Sequence, residues 1–416
     1  MCAQINKEYN ISLVLRALEK VKGISPKGEV FFSHDLYSRS FQEYIAILLS
    51  TIDFSRQIPD IVRKSIITGA IVHAGKNILS QETFLAEIEK LESNYLKKAP
   101  KKYILVTDMS AIYSKLFQRR KIKNCDIVFK TQLSEQFKSE RQKFLRWASH
   151  HITGQLPSDY LNIQISAFGR SPEEAGSKAL DAINLLRAMW NLVYNLKKRK
   201  IFPTSKERPL NSIVLGPFHS IHDNDGKHIP SIWWRDTSYK EPLQCKDISK
   251  EEKALRESEQ FITSKFAKLP SEIREFVEIA LLRYVHALDE YNMEASFLKL
   301  WSLLEYLTHT LKDRYEVTVK RTAKLFHDYQ FHMQILKHLQ DRRNIIVHKS
   351  EYQNEIEIFT YQIKQYAERL LLFHLVQGNK FENLGGIIEY LDLSQDRTAL
   401  IRKKRFIELK LKLRKH

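Results

Sequence analysis

The chain has 416 residues, 43% hydrophobic and 28% charged, with 67 Lys and Arg against 49 Asp and Glu. That balance excludes a disordered polymer and leaves room for two or three cores. The net charge of +18 points to a polyanionic partner, nucleic acid before a membrane surface.

Three widely spaced cysteines, Cys2, Cys125 and Cys245, form no C-x-x-C, and their odd number argues against a disulfide framework. Met1 to Asn10 has no apolar core for a signal peptide, and the longest aliphatic runs, such as Ile45 to Leu49 and Leu370 to Phe373, are too short to span a bilayer. A cytoplasmic protein without a membrane partner is expected.

Residues 1–99 read as a helical N-terminal region. Helices are predicted over Ile11 to Lys22, Phe41 to Ile52, Ile58 to Ala74 and Gln81 to Lys98, the last opened by Ser80. Residues 100–245 read as an α+β domain. Tyr103 to Thr107, Asp126 to Lys130 and Asn162 to Phe168 carry strand patterns, and Ser171-Pro172-Glu173-Glu174 is a capping box opening a helix to about Leu196. A strand pair is expected at Ser212 to Leu215 and Ser231 to Arg235, around the turn Asp223-Asn224-Asp225-Gly226. His219, His222 and His228 surround that turn, but the missing fourth ligand argues against a metal site. Basic clusters such as Arg119-Arg120-Lys121 stand near Phe117, Phe137 and Trp147, where unpaired bases could stack.

Lys246 to Lys253 reads as a charged linker, and residues 250–395 as a purely helical bundle with short connections. Helices are expected at Leu255 to Leu269, Ser271 to Asp289 with Ser271 as cap, Asn292 to Leu311, Lys320 to His327, from about His332 through His348, and Glu355 to Gln377. The basic tail, residues 396–416, follows. From Arg397 to the end, nine Lys and Arg stand against Glu408, a net +8; an edge strand, an amphipathic helix and an RNA-ordered tail all fit its pattern. The fold class is thus α+β, with a C-terminal all-α bundle. There is no phosphate-binding G-x-x-x-x-G-K, dinucleotide fingerprint or H-E-x-x-H, and no cofactor is expected.

Chemistry concentrates in Arg342-Arg343-Asn344-Ile345-Ile346-Val347-His348. A histidine can exchange a proton with a 2′-hydroxyl or a leaving oxygen near neutrality, an arginine fork fits a phosphate, and Asn344 can orient either group. Leu336, Leu339, Arg343 and Val347 recur at helical spacing, giving one packed face. On a continuous helix Arg343 and His348 lie about 140° apart. Either the helix loosens near His348 or a second copy completes the site, and the geometry points to a dimer. Read alone, R-x4-H is also a common helix-end pattern. Upstream, Trp301 and Glu305 lie one turn apart, so Glu305 can hold Arg343 or Arg342, or fix the His348 tautomer. Arg342 leaves the register of the arginine open; Asn344 favours Arg343, which makes Arg342 a candidate phosphate contact or a dimer salt bridge, and Lys349 is a further expected RNA contact.

Arg343-Asn344 with His348 resembles the R-N-x-x-x-H motif of HEPN (higher eukaryote and prokaryote nucleotide-binding) ribonucleases. The run Phe297, Trp301, Glu305 resembles the F-x-x-x-W-x-x-x-E helix that precedes it in the Apea-like branch. The resemblance spans about residues 250–395. It implies an all-α bundle that dimerises around a composite, metal-independent endoribonuclease site. There Arg343, Asn344 and His348 are catalytic, with Glu305 in support, and attack by a 2′-hydroxyl leaves a 2′,3′-cyclic phosphate. It also implies a setting of phage defence, abortive infection or toxin action on tRNA, mRNA or phage RNA, with an antitoxin or phage-encoded trigger as partner. Arg402, Lys403, Lys404 and Arg405 in the tail are expected RNA contacts. The alternative is a non-catalytic HEPN dimer that binds RNA or protein.

Overall fold

A computed structural model describes residues 4–5, 10–33, 40–55, 58–113, 118–151, 155–197, 208–310, 315–349 and 355–414; the side chains of His348 and Lys349 lie outside the description. Beginning at β1 (Gln4–Ile5), the N-terminal part is built on α1 (Ile11–Val21), α2 (Phe41–Thr51), α3 (Asp60–Ala74) and α4 (Gln81–Lys97). A hairpin of β2 (Lys22–Ile24) and β3 (Val30–Phe32) separates α1 from α2, and β4 (Ile52–Asp53) pairs with β1. Gly23 fits under Phe31, where a Cβ would clash with the ring. Leu15, Leu18, Ile45, Ile67, Phe84 and Ile88 form the shared core. The Tyr95 hydroxyl donates to Glu174 at 2.7 Å and ties α4 to the next unit.

The central unit contains β5 (Lys101–Met109), β6 (Ala111–Ile112), β7 (Arg119–Ile122), β8 (Cys125–Lys130), α5 (Glu135–Ala148), β9 (Leu161–Gly169), α6 (Pro172–Lys197), β10 (Phe218–His222) and β11 (His228–Arg235). Its six-stranded sheet runs β11-β10-β5-β9-β8-β7, antiparallel throughout. Lys and Arg stand on edge strand β7 and Pro230 on edge strand β11, residue types that discourage further pairing. Alternation sends Leu105, Ile127, Ile163, Ile165 and Ile221 to the α6 face. On the opposite face, α5 places Phe144 against Phe218 and its Arg141 guanidinium against Ser220, Asp108 and the Phe218 carbonyl.

Several expectations need correction. The strand before the Asp223–Gly226 turn is Phe218–His222, and Ser212 to Leu215 contributes only a bridge from Leu215 to Met109. Edge strand β7 and helix α5 were not expected. Lys123 and Asn124, both at positive φ, make the two-residue turn from β7 to β8 without the usual Asn-Gly. The supposed linker is packed: β12 (Lys246–Asp247) pairs with β6, and Ile248 is wholly buried.

The remainder is helical: α7 (Glu252–Phe266), α8 (Ser271–Leu288), α9 (Met293–Leu307), α10 (Tyr315–Ala323), α11 (Tyr329–Lys349), α12 (Ile356–Gln377), α13 (Leu384–Asp392) and α14 (Arg397–Leu413). Pro270, not Ser271, occupies the N-cap of α8. Helix α6 serves two cores. Ala179, Leu186 and Trp190 face the sheet, while Leu185, Met189 and Leu192 face the bundle. Beside it runs a buried polar chain. Arg187 grips Asp289 through two hydrogen bonds (3.1 and 2.8 Å), Asn211 donates to Asp289, and Asn195 to Asn211. Lys364 then donates to the Asn195 carbonyl and to Glu368, which also accepts from Tyr284. Removing one partner from such a buried ion pair costs about 3–5 kcal/mol, so the chain fastens the sheet unit to the bundle. Among the described residues no helix is long and apolar enough to cross a membrane.

Candidate functional site

Helix α9 begins where Asn292 accepts from the Ala295 N–H, and it buries Phe297, Leu300, Trp301 and Leu304. The Trp301 indole N–H cannot be left unpaired in that setting. It donates to Glu305 Oε1, one turn on, at 2.8 Å. The rings of Trp301 and Tyr315, the latter at the start of α10, meet in a T-shaped contact with centroids 6.3 Å apart. Over that same tyrosine lies the Arg343 guanidinium of α11, its carbon 4.5 Å from the ring centroid. Arg343 Nη1 also donates to Asn344 Oδ1 at 3.3 Å. The two sequence signatures are thus brought to one place, with Tyr315 between them.

This differs from the expectation for Glu305. Its carboxylate is engaged by Trp301, and it forms no ion pair with Arg343, which is stacked on Tyr315 instead. Arg342 is likewise stacked, its guanidinium carbon 5.2 Å from the Phe359 centroid on α12. Each arginine of the pair therefore has its own aromatic support.

Helix α11 is continuous through Lys349. A loosening of the backbone before His348 is thereby removed as a way of joining the two ends of the motif. Five residues of unbroken α-helix separate Arg343 from position 348 by about 140° and about 7.5 Å along the axis. The packed face also differs from the predicted stripe: Leu336, Leu339 and Ile346 are buried, whereas Val347 is 45% exposed.

In the tail, α14 resolves the open choice in favour of a helix. Asp396 caps it by accepting from the Thr398 N–H. It buries none of its residues, leaving Arg402, Lys403, Lys404 and Arg405 exposed together with Ile407, Leu409, Leu411 and Leu413. The three histidines near the hairpin turn do not converge. His219 accompanies Thr107 on the α6 side, while His222 and His228 lie beside Phe144 and Phe137 on the α5 side. Burial pushes His219 down to about 3 and His222 to about 4, so both imidazoles are neutral at physiological pH.

Tyr315 was not singled out in the sequence, since nothing local distinguishes it from the chain's other tyrosines. The one available signal was that a half-buried arginine needs an aromatic or acidic neighbour. No family model, curated protein or solved structure matches the chain.

Proposed function

We propose that the protein is a metal-independent endoribonuclease of the HEPN type, acting as a homodimer through its C-terminal bundle. The observation that carries this reading is the linked set Trp301–Tyr315–Arg343–Asn344, which joins the two signature helices. Arg343, in a fixed position, offers its fork to a phosphate; His348 takes the proton of the 2′-hydroxyl or supplies one to the leaving oxygen. The 2′-oxygen forms a bond to phosphorus as the bond to the 5′-oxygen breaks. The ends are a 2′,3′-cyclic phosphate and a 5′-hydroxyl, with no water or metal consumed in that step. Asn344 steadies Arg343, and Glu305 acts at one remove through Trp301.

Arg342, Lys349 and the exposed cations of α14 supply the sequence-independent grip on RNA, which for such contacts weakens with salt. The substrate is tRNA, mRNA or phage RNA in the cytoplasm. Residues 1–245 receive the signal of an antitoxin or a phage-encoded trigger. A second reading is favoured by the way Arg343 is turned into the bundle: a HEPN dimer that holds RNA or a partner protein without cutting it.

The test is to incubate the full chain with total RNA in excess EDTA and map the ends. Cleavage with cyclic phosphate termini is expected. Arg343→Ala and His348→Ala should each lower the rate by about 10²–10³ while the protein stays folded. Bound but uncut RNA supports the second reading, and 3′-hydroxyl ends or a strict magnesium requirement refute the mechanism.

A further inference from the structure

A cleft of about 360 Å³ opens where β10, β11, α6 and the end of α8 meet, well apart in sequence from the R-N-x-x-x-H segment. A volume of that order suits a small organic ligand. Cross-strand pairing sets His219 directly opposite Trp234, so both side chains stand on one face of the sheet. Trp234 lies against Gly176, where any Cβ would collide with the indole ring. The wall it forms is completed by Leu180 and Leu215.

Besides Thr237 and His286, which also line the cleft, three polar groups face this apolar wall with hydrogen-bonding capacity unused among the described residues. His219, only 5% exposed, is anchored by Nδ1 to Thr107 Oγ1 at 2.7 Å, and its Nε2 has no partner. Asn184, also 5% exposed, gives its carbonyl oxygen to two N–H groups of Arg187, which turns its NH₂ group outward without an acceptor. Asp236 accepts only the Ser238 N–H and has no ion pair. Burial, with Asp289 nearby, pushes its carboxyl above the usual range, so it gains from a donor.

The buried cation here is already used, because Arg187 gives its N–H groups to Asn184, Asp289 and the Ile213 carbonyl. The depth of the cleft therefore suits an uncharged planar group with both donors and acceptors on its edge. A bare anion would face Asp236. At the mouth, Lys299 is exposed and ion-paired with Glu290, and Arg235, paired with Phe218 and so leaning toward the α5 face, is exposed at the rim where β11 ends. These are the groups to meet a phosphate.

We infer that this cleft binds a mononucleotide, base inward against Trp234 with its edge read by Asn184, His219 and Asp236, and phosphate outward toward Arg235 and Lys299. The inference stands independently of RNA cleavage. It gives the sheet unit a ligand next to the Arg187–Asp289 pair that fastens the unit to the bundle.

Calorimetric titration of the full chain with AMP, GMP, CMP, UMP and ribose 5-phosphate tests it. At least one nucleotide should bind at least tenfold more tightly than the base-free sugar phosphate. Asp236→Asn and Leu180→Trp should each weaken that nucleotide at least tenfold, the first by turning one accepting carboxylate oxygen into an NH₂ donor and the second by filling the cleft. Arg343→Ala should leave it unchanged, which separates this cleft from the proposed RNA site. Should the tryptophan variant melt early, the isosteric Asp236→Asn decides alone. No binding, equal binding of ribose 5-phosphate, or an affinity that Asp236→Asn does not change would each overturn the assignment.

Discussion

Replacing Tyr315 with leucine tests the centre of the candidate site. The Arg343 guanidinium carbon sits 4.5 Å from the ring centroid, while the Trp301 ring meets the same tyrosine from the side. Leucine keeps apolar bulk against Trp301 but removes the aromatic face. A cation–π contact ranges from about 0.5 kcal/mol when exposed to about 2 kcal/mol when desolvated, and a half-buried Arg343 falls between, at about 1 kcal/mol. That corresponds to roughly a fivefold lower occupancy of the positioned guanidinium. Native-state hydrogen exchange of the α10 and α11 amides should show easier opening by that amount, whatever the protein's activity. Under the proposed function, RNA cleavage should also fall about fivefold. Tyr315→Phe keeps the ring face and should behave as wild type in both assays. If phenylalanine is as damaging as leucine, or leucine is silent, the ring is not what holds Arg343.

Burial lowers His374 to about 4, where its Nε2 faces the Leu307 carbonyl at 2.8 Å. The unfolded chain then takes up that proton below about pH 6.5 and the folded bundle does not, so stability present above 6.5 is lost as pH falls toward 4. Between pH 7 and 5 this one group should cost the α9 and α12 amides about 2 kcal/mol of exchange protection; the loss should be absent in His374→Gln, which keeps an N–H donor. Half-buried Asp108, Asp181 and Asp236, all pushed up by desolvation, work in the opposite direction, so the comparison with the variant is the measurement that counts. Deleting residues 397–416 removes a net +8 and nothing that the described part of α14 buries. RNA binding should weaken with a shallower salt dependence and an unchanged melting temperature; an unaltered slope would assign the tail no phosphate contacts.

Much of this architecture was legible because local chemistry and tertiary packing agree. The helix start at Ser171 forms as expected, its hydroxyl taking the Glu174 N–H after a proline at the first helical position, although the Glu174 carboxylate accepts from the Arg170 N–H rather than closing the box on Ser171. Strand β9 alternates as its sequence does, since one of its faces is covered by α6. The failures share a cause in long-range partners. Phe218–His222 does not look like a strand until α5 supplies Arg141 and Phe144 to its polar side. Lys246 to Lys253 looks like a linker because most of its charges pair locally or face solvent, which hides the buried Ile248 and Glu252. At the candidate site the two motifs were readable, but Tyr315 and the Trp301–Glu305 hydrogen bond were not. Spacing shows which residues share a helix face and says nothing of which aromatic on another helix reaches them first.

The continuity of α11 constrains any chemistry at the motif. Half-buried Arg343 is held against Tyr315 and Asn344, and an unbroken helix carries the chain about 140° further round before position 348. Two groups diverging in this way from one rigid rod do not close on a single phosphate without help. Within the arc between them, beside Asn344, stands Val347, an aliphatic side chain left 45% exposed, while Ile346 takes the buried place. An isologous contact across a two-fold axis would cover such a position and bring one subunit's histidine toward the other's arginine. Under the proposed homodimer, the stacked arginine and the divided motif have one account: an arginine fixed from within its own subunit and a histidine delivered by the other.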